Sequence, residues 1–105
     1  MRLLAQMDFK DHLHNLISKY ILLKIYYEEG EFDALESLLD SLAAYLRRRE
    51  IVENQKINGQ NIIRLTRGLL RLNAYDKEKR QVLRKEIEKT RPLTERKWFL
   101  EMVEK

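Results

Sequence analysis

Cysteine is absent from this 105-residue chain. That excludes disulfides and any thiolate zinc site, and it fits a reducing compartment, so a cytoplasmic location is the expectation. Proline occurs once and glycine three times, while hydrophobic residues make up 44% and charged residues 36%. So few breakers amid so much Leu, Glu, Lys and Arg predict an all-α fold with no sheet. There is no signal-peptide pattern and no apolar run long enough to cross a bilayer, so no membrane partner is expected. Gly-rich phosphate loops are missing as well. Histidine is limited to His12 and His14.

Charge is unevenly spread. Residues 1–46 hold four basic and eight acidic residues, residues 47–91 fourteen basic and six acidic, and residues 92–105 three of each. A division of this kind points to a surface that faces a partner or another part of a larger protein.

Apolar spacing predicts about five antiparallel helices. "MRLLAQM" is a short amphipathic stub, with Leu3, Leu4 and Met7 on one side. A first helix runs from Asp8, with Phe9, Leu13, Leu16, Ile17, Tyr20, Leu23 and Tyr27 recurring every three or four residues. Ile21, Leu22, Ile25 and Tyr26 fill much of its other side, which predicts a helix covered nearly all round. Gly30 suits a C-terminal cap. The second helix runs from about Glu31 to Arg49. Its inner stripe is Phe32, Leu35, Leu38, Leu39, Leu42, Tyr45 and Leu46, with acids in its first turns and Arg47, Arg48 and Arg49 in its last. After a turn at "EIVENQ", a third helix reaches about Asn73, with Ile62, Leu65, Leu69 and Leu72 inward. Gly68 offers it a close helix contact. Asp76 is the expected N-cap of a fourth helix, whose stripe is Val82, Leu83 and Ile87. Pro92 suits the first turn of a fifth, where Trp98, Phe99, Met102 and Val103 form an apolar face.

The stretch "YYEEGEFDAL" resembles a tetratricopeptide repeat (TPR), a helix–turn–helix unit that stacks into a right-handed superhelix. Leu22 falls on the small-to-medium apolar position of the first helix and Tyr26 on its tyrosine. Gly30 falls on the turn glycine and Phe32 on the aromatic that opens the second helix. Leu23 replaces the first-helix glycine and Leu35 the second-helix alanine, so a divergent unit with wider helix packing is implied. "NIIRLTRGLLRL" is similar to the first helix of another unit, with Tyr75 and Arg80 at the glycine and alanine positions. The whole pattern, "LLKIYYEEGEFDALESLLDSLAAYLRR" followed by an Arg-rich helix and "RPLTERKWFLE", resembles the C-terminal region of uncharacterised bacterial TPR-containing proteins. The resemblance implies one TPR-like domain over 1–105, the C-terminal fragment of a larger protein. It also implies a protein–protein interaction scaffold or the terminal capping segment of a TPR array.

Nothing in the residues builds a catalytic site, and no cofactor is implied. His12 and His14 point to different sides of a helix and share no metal; their spacing from Asp8 and Asp11 suits surface pairing. Without cysteine, and with two crowded histidines, no nucleophile–histidine arrangement can be assembled. Tyr20, Tyr26, Tyr27, Phe32 and Trp98 read as core, with Trp98 sealing an end. The candidate partner-binding residues are basic: Arg64, Arg67 and Arg71 along the third helix, then Lys77, Arg80 and Arg84, with Lys85 beside them, on the fourth. Such arginines hold carboxylates or phosphates in bidentate fashion. Three readings stand: a solvated face, a surface for an acidic protein partner, and a nucleic-acid-binding helical module using the basic face of residues 47–91. Glu78, Glu86 and Glu88 interrupt the run and no aromatics interleave for base stacking, so nucleic acid is the least favoured. Apolar residues at the start of the chain, Leu3, Leu4, Met7 and Phe9, would support a homodimer through the N-terminal end.

Overall fold

The computed structural model describes residues 9–73 and 75–105, and of Phe9 and Lys10 the backbone alone. The N-terminal stub, the self-association surface read there and the Asp8–His12 pair lie outside the described residues. Those residues form an all-α structure: α1 Phe9–Glu29, α2 Phe32–Leu46, α3 Glu53–Leu70, α4 Lys77–Lys89 and α5 Arg96–Glu104. The chain divides into two compact units, residues 1–56 and 57–105, with the division inside the first turns of α3.

In the first unit α1 stops where Gly30 takes φ +75°, the left-handed conformation that closes a helix. Glu31 N–H then donates to the Tyr26 carbonyl at 2.9 Å and Gly30 N–H to the Tyr27 carbonyl at 3.2 Å. One residue later α2 begins, and it packs on α1. Leu35, Leu39, Leu42 and Leu46 are buried on α2, and Leu16, Tyr20 and Leu23 on α1. Full burial of one leucine is worth roughly 1.5–3 kcal/mol. The two helices run antiparallel, since His12 near the start of α1 meets Tyr45 near the end of α2.

Four expectations for this unit are corrected. First, α1 is not covered all round: Ile17, Ile21, Leu22 and Ile25 are exposed, because α2 shields one side alone. Second, Phe32 lies half-exposed, edge-on to Tyr27, rather than on the inner stripe. Third, α2 ends at Leu46, so Arg47–Arg49 lie in the following turn and no basic residue sits in the last turn of α2. There Arg48 stands over the Tyr45 ring and its Nε lies 3.5 Å from Glu50. Hydrogen bonding to its own backbone, then Arg48, holds the Glu50 carboxyl below its ordinary value. Fourth, His12 is buried rather than on the surface, and Tyr45 supplies it a polar partner from the other helix.

In the second unit, contacts between α3 and the rest step in opposite directions along the chain. Gly68 faces Leu83, Arg64 meets Glu86, Asn61 reaches Pro92, and Asn58 meets Thr94. Asn58 donates to Thr94 Oγ1 at 3.1 Å and accepts from Thr94 N–H at 2.9 Å, which pins the α4–α5 link to α3. The expected cap of α4 is present, with Asp76 accepting from Lys79 N–H at 2.9 Å. At its other end Arg96 donates to the carbonyls of Ile87 and Glu88, satisfying groups a helix terminus leaves open. Two expectations change here. Pro92 follows a cis peptide bond in the link, four residues before α5 begins, so it opens no helix. Val82 is 66% exposed, leaving Leu83 and Ile87 as the buried positions of α4.

Candidate partner-binding surface

The basic residues singled out in the sequence lie on α3, α4 and the turn that follows α3. Arg64, Arg67 and Arg71 are at helix-neighbour spacing, so they share a side of α3 and its C-terminal turn. Their surroundings differ. Arg64 is ion-paired with Glu86, and its second nitrogen lies 3.5 Å from Thr90 Oγ1. Arg67 is half-buried and Arg71 exposed. On α4, Arg84 pairs with Glu88 at 3.3 Å and also with Glu104 at the end of α5. Arg80 is half-buried, its Nε enclosed without a hydrogen-bond partner among the described residues. Lys77 and Lys85 are exposed. The six candidates therefore do not make one continuous cationic face. Carboxylates from the same unit sit on Arg64 and Arg84, and Arg84 is turned toward α5 while Arg64 and Arg71 border α4 on its α3 side.

Between the C-terminal half of α3 and α4 runs an open groove of about 430 Å³. Gly68, Leu72, Val82 and Leu83 give it an apolar floor, and Arg71 and Lys79 stand on its rim beside Glu78 and Glu86. Gly68 lets Leu83 lie close against α3: a Cβ there would come 3.1 Å from Leu83 Cδ1. The spacing of α4 from 79 to 82, 83 and 86 turns these positions to α3. Of the groove residues, the sequence marked Arg71 as a site and Gly68 as a contact point; Lys79, Val82 and Glu78 went unremarked as a set. Their signal was the interior glycine opposite an apolar pair, Val82 and Leu83, too wide for a single buried stripe. Tyr75, in the link before α4, is 92% exposed.

Among the described residues of the first unit, a buried polar cluster is built for packing. His12 Nδ1 lies 2.6 Å from the Tyr45 hydroxyl, to which Asn15 also donates at 3.3 Å. Lys19 stands over the same ring at 5.1 Å. His14 is exposed. Among the described residues no three His, Asp or Glu side chains converge as metal ligands would, and no helix is long and apolar enough to cross a membrane. No protein-family model, curated protein or solved structure matches this chain.

Proposed function

We propose that this chain is a non-enzymatic protein-binding module, a TPR-like scaffold or the capping segment of a TPR array. The α3–α4 groove is the observation that carries the reading. Its floor is apolar and its rim mixes both signs of charge, which suits a protein segment and not a phosphate backbone. From Glu78 to Glu86 the groove follows α4 for about 12 Å, the length of two turns of a bound helix. The occupant is a short amphipathic helix of a partner protein, with an acidic residue set against Arg71. The α1–α2 hairpin turning at Gly30 supports the TPR-like part of the proposal.

The test is affinity capture from a lysate followed by reconstitution with the purified partner. Val82→Asp places a charge on the floor, and Arg71→Glu reverses the rim. Both residues are exposed, so helicity should be unchanged. Each substitution should weaken the reconstituted complex at least about tenfold. Equal binding by variants and parent would make the groove an ordinary solvated face.

A further inference from the structure

The exposed side of α1 carries a pattern that is the same read from either end apart from its charge. Ile17, Ile21 and Ile25 stand in a line at intervals of four residues, exposed by 44, 50 and 51%. Measured around the helix, Ile17 and Ile25 lie about 40° to either side of Ile21. Seven residues before and after Ile21 come His14 and Glu28, both exposed and within about 20° of the Ile21 direction. The stripe therefore runs from an imidazole, whose ring N–H can donate a hydrogen bond, through three isoleucines to a carboxylate that accepts one, centred on Ile21.

We propose that this stripe pairs antiparallel with the same stripe of a second copy of this chain, about a two-fold axis at Ile21. Antiparallel pairing sets Ile17 against the second copy's Ile25, Ile21 against its own equivalent, and His14 against Glu28. Lys24 meets the neutral Ser18. In a parallel pairing Lys24 and Glu28 would each face an identical group, which like charges oppose. An isologous contact needs self-complementarity of this kind, and a surface made for an unrelated partner does not. The end of α1 supplies a further reason. Glu28 and Glu29 sit at its C-terminus with no basic residue in the last turn, against the helix dipole. An antiparallel neighbour brings its N-terminal half, with His14, alongside them. Four partly exposed apolar side chains, with Leu22 as the fourth, fall short of the roughly 800 Å² per partner typical of stable complexes. The dimer is accordingly reversible and dissociates on dilution.

This self-pairing uses the first unit alone, so it stands or falls apart from the groove proposal. Sedimentation equilibrium of the purified full chain, from micromolar to about millimolar concentration, should show a monomer becoming a dimer. Ile21→Lys should weaken association at least about tenfold. His14→Glu alone sets carboxylates together and should weaken it, while adding Glu28→Lys sets a carboxylate against an ammonium and should recover it. If Ile21→Lys loses helicity, this charge exchange decides. Because the chain lacks cysteine, Ile21→Cys introduces its sole thiol. Helices 8–10 Å apart bring facing Cα atoms within about 6 Å, inside disulfide range. Mild oxidation should therefore give covalent dimer from Ile21→Cys and not from Ser37→Cys, an exposed position on α2. A chain that stays monomeric throughout overturns the proposal. So does a dimer indifferent to Ile21→Lys, or a charge exchange that fails to recover association.

Discussion

Tyr45 does more for the first unit than its half-buried position suggests, because one hydroxyl serves two residues of the other helix. His12 Nδ1 and Asn15 Nδ2 both reach it, and the remaining ring nitrogen of His12 is buried without a hydrogen bond among the described residues. Tyr45→Phe keeps the ring and its contacts with Lys19 and Arg48 but leaves His12 with neither nitrogen satisfied. It should lower stability by about 1–2 kcal/mol, measured as a shift of the urea midpoint at constant slope. Gly68 invites the opposite change. Alanine is favoured over glycine inside a helix by about 1 kcal/mol. The methyl group would press on the end of Leu83, a flexible side chain with the open groove beside it. Gly68→Ala should therefore raise the melting temperature while narrowing the groove, so stability and partner binding should move in opposite directions.

Among the elements, α4 has few apolar positions and depends on its ends. Asp76→Ala removes the bond to Lys79 N–H and should cost about 1 kcal/mol, with fraying of the first turn seen in amide hydrogen exchange. That cap was readable in the sequence, since an acceptor residue preceding a helical period is a local signal. So was the stripe Leu35, Leu39, Leu42 and Leu46, whose period alone selects one face of α2. Gly30 was legible for the same local reason. What the sequence could not show was coverage. The period of α1 marks Ile21 and Ile25 as apolar without saying that α2 shields only the other side. His12 looked like a surface residue because its partner, Tyr45, is 33 positions away. The same distance in sequence hid the Asn58–Thr94 clamp, and with it the reason Pro92 lies in a link and not in α5. For the candidate surface, the arginines were legible as residues, but Glu86 and Glu104 as their ion-pair partners depend on how α3, α4 and α5 meet.

For the molecule as a whole, charge follows the division into units. Residues 1–56 carry eight basic and ten acidic residues, and residues 57–105 thirteen basic and seven acidic. A net positive second unit would ordinarily suggest polyanion binding. Yet Arg64 and Arg84 already face carboxylates, and Glu78, Glu86 and Glu88 stand among the remaining cations of α4, which lowers the number of counterions a nucleic acid would release. Fluorescence anisotropy with labelled duplex or single-stranded DNA should show weak binding at low salt, with a shallow dependence on salt concentration. Tight binding that falls steeply with salt would contradict the protein-binding proposal.

Trp98 is the chain's single tryptophan, buried edge-on to Phe99 at 5.1 Å, whereas the first unit holds tyrosines but no tryptophan. Nature has thus placed an optical label in one half of the protein only. Its emission wavelength reports the second unit, while circular dichroism sums the helices of both. Leu39 is fully buried on α2, and Leu39→Asp would strand a charge there at a cost of several kcal/mol. In that variant ellipticity should fall by the share due to α1 and α2 while tryptophan emission stays at the wavelength of a shielded indole. A red shift in step with the lost ellipticity would mean that the two units melt as one.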